Sequence, residues 1–115
     1  MPVRSLNSSV LNWPDHHQVI DEFKKWAEKY KQVSNIIKIG YFGSYATSSY
    51  GVGSDLDVII ILNESDIPFN RRSTRFDLTS ISVPADLVIY TEKEWNMMKN
   101  SKFHQYIENN AKWIK

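Results

Sequence analysis

From Val19 onward the apolar residues recur at helical spacing. Val19, Ile20, Phe23, Trp26, Ala27 and Tyr30 share one stripe, and Asp21, Glu22, Lys24, Lys25 and Lys29 are left for water. Pro14 followed by Asp15 suits the first turn of this helix: proline lacks only an N–H that has no partner there, and the aspartate complements the positive end. The period then changes. Ile36 to Phe42 (IIKIGYF) is rich in β-formers and runs into GSYATSSYGVGSD, whose three glycines and many hydroxyls predict a loop that approaches something closely. Leu56 to Leu62 (LDVIIIL) reads as the strongest strand, and its unbroken apolar run from Val58 predicts a central position buried on both faces.

A polar turn from Asn63 to Asp66 leads into PFNRRSTRFDLTSIS, where a helix is expected from about Asn70 to Leu78. Pro84 precedes a third strand, Ala85 to Tyr90 (ADLVIY). Thr91-Glu92-Lys93-Glu94 fits a capping box and starts a helix that buries Trp95 and Met98. Phe103, Tyr106 and Ile107 carry the helical pattern to Asn109-Asn110, after which AKWI is either a last edge strand or more helix. The polar residues 1–12 read as a loose arm. The expected fold class is α+β, a mixed β-sheet backed by helices.

Composition narrows the function. With 115 residues at 13.4 kDa, of which 42% are hydrophobic and 13% aromatic, the chain is expected to form one domain over 1–115 with a real core. Fourteen basic against thirteen acidic residues give a net charge of +1, which argues against a domain held to nucleic acid by phosphate neutralisation. The absence of cysteine excludes disulfides, thiolate zinc sites and a cysteine nucleophile, and fits a reducing cytoplasm. No run of about 18 apolar residues, and no signal-peptide core at the start, point to a cytoplasmic protein without a membrane span.

Three features carry chemistry: Gly43-Ser44 at the exit of the first strand, Asp55 and Asp57 entering the second, and Asp86 entering the third. Side chains alternate along a strand, so Asp55 and Asp57 project from one face roughly 6–7 Å apart. If the third strand pairs alongside, Asp86 joins them. Clustered carboxylates repel unless a cation is present, and hard oxygen donors suit Mg²⁺ or Mn²⁺ rather than zinc. Gly43 lets backbone approach a ligand, Ser44 offers a hydroxyl and an N–H, and SYATSS is expected to begin a short helix, which together make a phosphate cradle. A phosphate cradle beside metal-binding carboxylates is equipment for in-line nucleotidyl transfer.

The spacing Gly-Ser, ten residues, then Asp-x-Asp between hydrophobic stretches (GSYATSSYGVGSDLDVIII), followed by PADLVIY, resembles the DNA polymerase beta-like nucleotidyltransferases, most closely their minimal, antitoxin-like members. The resemblance spans roughly Ile36 to Thr91 and implies the nucleotidyltransferase fold. It further implies that Gly43 and Ser44 bind the phosphates of an NTP such as ATP, that Asp55 and Asp57 hold both metals, and that Asp86 holds the catalytic metal and deprotonates the acceptor. It also implies a helical HEPN-type partner whose tyrosine hydroxyl is adenylylated. One departure stands out: many relatives have Ala-Arg-Gly after the Gly-Ser, whereas here Ala46 is followed by Thr47 and Ser48. A non-catalytic partner module and an antibiotic-type small-molecule adenylyltransferase are the competing readings. Arg71, Arg72 and Arg75 are weighed as triphosphate contacts against a solvated helix face. His16 and His17 read as surface residues, Trp113 as the most exposed aromatic, Asp66 as a turn former and Asp77 as a helix-surface charge.

Overall fold

A computed structural model describes residues 15–47 and 55–115; the arm at 1–12, Pro14, and loop residues 48–54 lie outside them. Helix α1 (His16–Glu28) starts where Asp15 accepts the N–H of Gln18 at 2.8 Å, and it buries Val19, Ile20, Phe23, Trp26 and Ala27 as its stripe predicts. There follow β1 (Ile36–Phe42), α2 (Ser44–Thr47), β2 (Leu56–Leu62), a 3-10 helix (Phe69–Arg75), β3 (Ala85–Thr91), α3 (Glu92–Met97), α4 (Lys102–Asn110) and β4 (Lys112–Trp113). The sheet order is β3-β2-β1-β4. β1 runs antiparallel to β2 and β4, whereas β2 and β3 are parallel, so the sheet is mixed as expected.

Central β2 is buried along its whole length except at Asp57, which is half-buried. Its alternation divides the core in two. Leu56, Val58, Ile60 and Leu62 pack with Ile89 beneath α1, while Ile59 and Ile61 pack with Trp95 and Ile107 beneath α3 and α4. The segment after the 3-10 helix closes the α1 face: Trp26 Nε1–H donates to the Asp77 carbonyl at 2.7 Å, and the Ser82 N–H donates to the Glu22 carboxylate at 2.8 Å.

Five expectations need correction. The helix expected over Asn70–Leu78 is a 3-10 turn that ends at Arg75, because Arg72 points inward rather than outward. Arg72 is 6% exposed and neither lies on a solvated face nor meets a phosphate: its Nε–H donates to the Ile67 carbonyl at 2.8 Å and its guanidinium is spent on Glu94. The helical run from Glu92 to Asn110 is two helices, since Ser101 caps a fresh start by accepting the His104 N–H at 3.1 Å. Asp77 is not on a helix; its carboxylate accepts from the Thr79 N–H and hydroxyl in a local turn. Finally, Trp113 is half-buried, whereas Phe69 and Tyr106 are 46% and 37% exposed. A Cβ on Gly40 would meet the Trp113 ring at 2.7 Å, so glycine is what lets β4 lie flat there, with the Lys38 ammonium 5.0 Å above the same ring. The capping box at Thr91 is present as read, and of the two readings of AKWI the strand is the one that forms.

Candidate functional site

Asp57 and Asp86 are each the second residue of a strand, and the parallel register sets them directly opposite one another. On the other side Phe42, the last residue of β1, is opposite Asp57. Directly paired residues point to one face, so Phe42, Asp57 and Asp86 form a row across three strands. Their parity is that of Ile59, Ile61, Val88 and Tyr90, which puts the row on the α3/α4 face, at its open end. Asp55 lies one residue before β2. Asp55 and Asp86 are exposed. Burial raises the Asp57 carboxyl above its ordinary value, and the charges of Asp86 and then Asp55 push it further in the same direction. The three carboxylates therefore share one electrostatic neighbourhood.

Gly43 supplies the contact that the row needs on its β1 side. Its φ is +74°, and a Cβ built there would collide with Asp57 Oδ2. Both facts demand glycine. The Gly43 carbonyl then starts α2 by accepting the N–H groups of Ala46 at 3.0 Å and Thr47 at 3.1 Å, with the Thr47 hydroxyl donating to it at 3.2 Å. This is the short helix expected from SYATSS, as far as the described residues reach; half-buried Ser44 is its first residue. We expect Gly43→Val to cost about 1–3 kcal/mol of stability in a urea melt, from the positive φ and the displaced carboxylate. It should weaken calorimetric binding of ATP with Mg²⁺ by a larger factor than that loss accounts for. A folded variant with wild-type affinity would remove Gly43 from the site.

Among the described residues no group of three or more His, Asp or Glu side chains is drawn close enough to hold a metal by itself. Uncompensated like charges keep such side chains apart, and Mg²⁺ takes part of its shell from water and substrate phosphates. The chemistry of the donor set nevertheless fits a hard divalent cation, for every candidate ligand is a carboxylate oxygen and Asp57 sits in a field short of positive charge. A cleft of about 720 Å³ lies elsewhere, at the far end of β2 between Tyr30, Ile36, Leu62 and Phe76; none of Gly43, Ser44, Asp55, Asp57 and Asp86 lines it.

Reading the sequence missed His16. It is half-buried, its Nε2–H donates to the Tyr45 carbonyl at 3.0 Å, and its ring stacks on that of Tyr45 with centroids 5.7 Å apart, so it is not a plain surface residue. No local signal marks a contact spanning 29 residues. His17 is exposed, as read.

A strand that ends in a glycine turn, and two parallel strands that open on paired carboxylates, have the form of a nucleotide-handling fold. The family profile of the nucleotidyltransferase domain matches residues 20–113, and the chain belongs to that family. A protein of Sulfolobus solfataricus provisionally named a nucleotidyltransferase has the same fold, with a TM-score of 0.58 at 18% identity over 83% of this chain and 85% of that one. A toxin-antitoxin structure with AMP-PNP aligns over 89% of this chain and 73% of its own, at 14% identity and a TM-score of 0.49. No curated protein matches the chain. No helix among the described residues is long and apolar enough to cross a membrane.

Proposed function

We propose that this protein is a Mg²⁺- or Mn²⁺-dependent nucleotidyltransferase that moves a nucleoside monophosphate, AMP by preference, from an NTP to a hydroxyl carried by a partner protein. The observation that carries this reading is the in-register pair Asp57 and Asp86, with Gly43 packed flat against the Asp57 carboxylate. In this reading Gly43 and Ser44 receive the triphosphate, and Asp55, Asp57 and Asp86 ligate the metal. A divalent cation bound there would offset the negative charge that builds on the transferring phosphoryl group and the leaving pyrophosphate. Asp86 accepts the acceptor's proton as its oxygen bonds to the α-phosphorus, and the bond from that phosphorus to the pyrophosphate oxygen breaks. No protein nucleophile is needed. Rate comes from holding acceptor and triphosphate in line.

The acceptor side is open. β3 is an edge strand, so among the described residues no further strand stands beyond Asp86. The opposite flank is aromatic: Phe42 meets Phe103 and Tyr106 of α4 at ring separations of 5.6 and 6.5 Å. Such a rim suits a partner that brings its own hydroxyl and a second wall; the resemblance implies a helical HEPN-type protein and a tyrosine. Thermal scans test the first half. Mg²⁺ alone should raise the melting temperature slightly and Mg²⁺ with ATP further, by about 2.7 kcal/mol of native-state stabilisation at a hundredfold excess over Kd. α-Labelled ATP with the helical protein tests the second half, with label expected on the partner only when Asp86 is intact. A melt unmoved by Mg²⁺ with ATP, GTP, CTP or UTP would support the non-catalytic partner module, which Thr47 in place of the usual arginine favours. Label on a free aminoglycoside but not on the partner would support the antibiotic-type reading.

A further inference from the structure

His16 precedes the segment covered by the family profile, which begins at residue 20, yet it reaches the turn that carries Gly43 and Ser44. The Asp15 cap fixes the first turn of α1 and with it the direction of the His16 side chain. A carbonyl can only accept, so His16 Nε2 carries the proton in the 3.0 Å bond to Tyr45. The two rings lie nearly parallel, 11° apart. Tyr45 itself is 3% exposed and belongs to the α1-side core, so its ring is fixed by packing while its carbonyl is fixed by His16. His16 thus ties the first turn of α1 to the backbone of α2 across 29 residues of chain.

We infer that His16 is a positioning residue for the triphosphate seat: its imidazole latches the Tyr45 carbonyl, holds α2 in the orientation that keeps Gly43 beside Asp57 and Ser44 next in the turn, and thereby sets affinity for the NTP. The inference rests on the proposed reading of Gly43 and Ser44 as that seat. The latch ties the first turn of one helix to the backbone segment that carries the candidate phosphate contacts, and its effect travels through α2.

Two readouts on the full chain decide it. Hydrogen exchange of the Ser44 to Thr47 amides, followed by mass spectrometry without nucleotide, reports the latch; calorimetric titration with ATP and Mg²⁺ reports its consequence. His16→Ala should speed exchange there by about 2–10-fold and weaken ATP binding by a similar factor, the range expected for one lost hydrogen bond to backbone. Its melting temperature should stay near that of the wild type. His16→Gln, whose amide nitrogen can reach the same carbonyl, should restore both values, which a loss of packing alone would not allow. Unchanged exchange in His16→Ala overturns the latch. Faster exchange with wild-type affinity, or no rescue by glutamine, overturns the positioning role. If the wild type binds no ATP with Mg²⁺, the nucleotidyltransferase reading falls and the role in affinity with it, while the exchange data still decide whether the latch exists.

Discussion

Asp57→Asn should lower metal-dependent transfer by at least about two orders of magnitude, the scale of losing one group that faces developing charge, and should at the same time stabilise the metal-free protein. Both effects follow from one arrangement. Asp57 is half-buried between Gly43 and Asp86, with Asp55 adding a like charge, so its ionised form is disfavoured in the folded state. Its native pKa lies above the ordinary value of 3.8, which means that the native state holds this proton more tightly than the unfolded chain does. Wild-type stability therefore falls as pH rises from the ordinary value through the raised one. The asparagine variant lacks that fall. Melts in a chelating buffer across this range should show the variant gaining on the wild type as pH increases. A variant that keeps its transfer rate would take Asp57 out of the proposed metal site, and one that melts lower than the wild type at neutral pH would mean that the carboxylate has a stabilising partner.

Arg72→Ala should be the most damaging single change outside the site, at about 3–5 kcal/mol, or a melting temperature lower by about 15 °C or more. One side chain here links three elements. Beyond its bond to Ile67, the guanidinium donates to the Ile89 carbonyl of β3 at 3.1 Å and forks onto Glu94 of α3 at 2.5 and 3.0 Å. Glu94 in turn accepts the Thr91 N–H at 2.9 Å and so caps α3. Truncating Arg72 leaves two carbonyls and a carboxylate short of donors. The pair also sets an acid limit: the hydrogen bonds from Arg72 pull Glu94 down from 4.5 to about 2. The stability that this shift represents is fully present above pH 4.5 and is lost as pH falls from there through about 2. Since Glu94 is partly exposed, solvent screening makes that contribution smaller than the full shift implies. Acid unfolding followed by circular dichroism should show a shallower slope over this window in Arg72→Ala. An unaltered slope would remove the pair as its cause.

The contrast between Asp57 and Arg72 explains what could be read from the chain. Elements whose pattern is dictated by burial were legible: the α1 stripe and the apolar run of β2 depend on spacing within one segment, whereas the pairing of Asp57 with Asp86 waited on the third strand lying alongside. Gly43 was legible because a strand exit into a hydroxyl-rich loop leaves few other uses for glycine. The rest depends on partners distant in sequence. Arg72 looks like any exposed arginine until Glu94, 22 residues later, is folded onto it, and that inward turn tightens the expected helix into a 3-10 turn. His16 likewise has no meaning before Tyr45 is in place. The break between α3 and α4 did have a local sign, Ser101 with His104 three residues on, but the apolar spacing on either side of it masked the cap.

The row Phe42, Asp57, Asp86 exists only in one strand register, and the core decides that register. Slipping β2 by one residue would turn Val58 and Ile60 away from α1 and press Asp57 among Val19, Phe23 and Trp26. The hydrophobic core therefore proofreads the polar site: any chain that has packed β2 correctly has already aimed its carboxylates, and no separate step is required to assemble them. Single-residue insertions between Asp55 and Leu62 should consequently be purged as folding defects before any loss of chemistry is felt, because they break the parity on which the site is written.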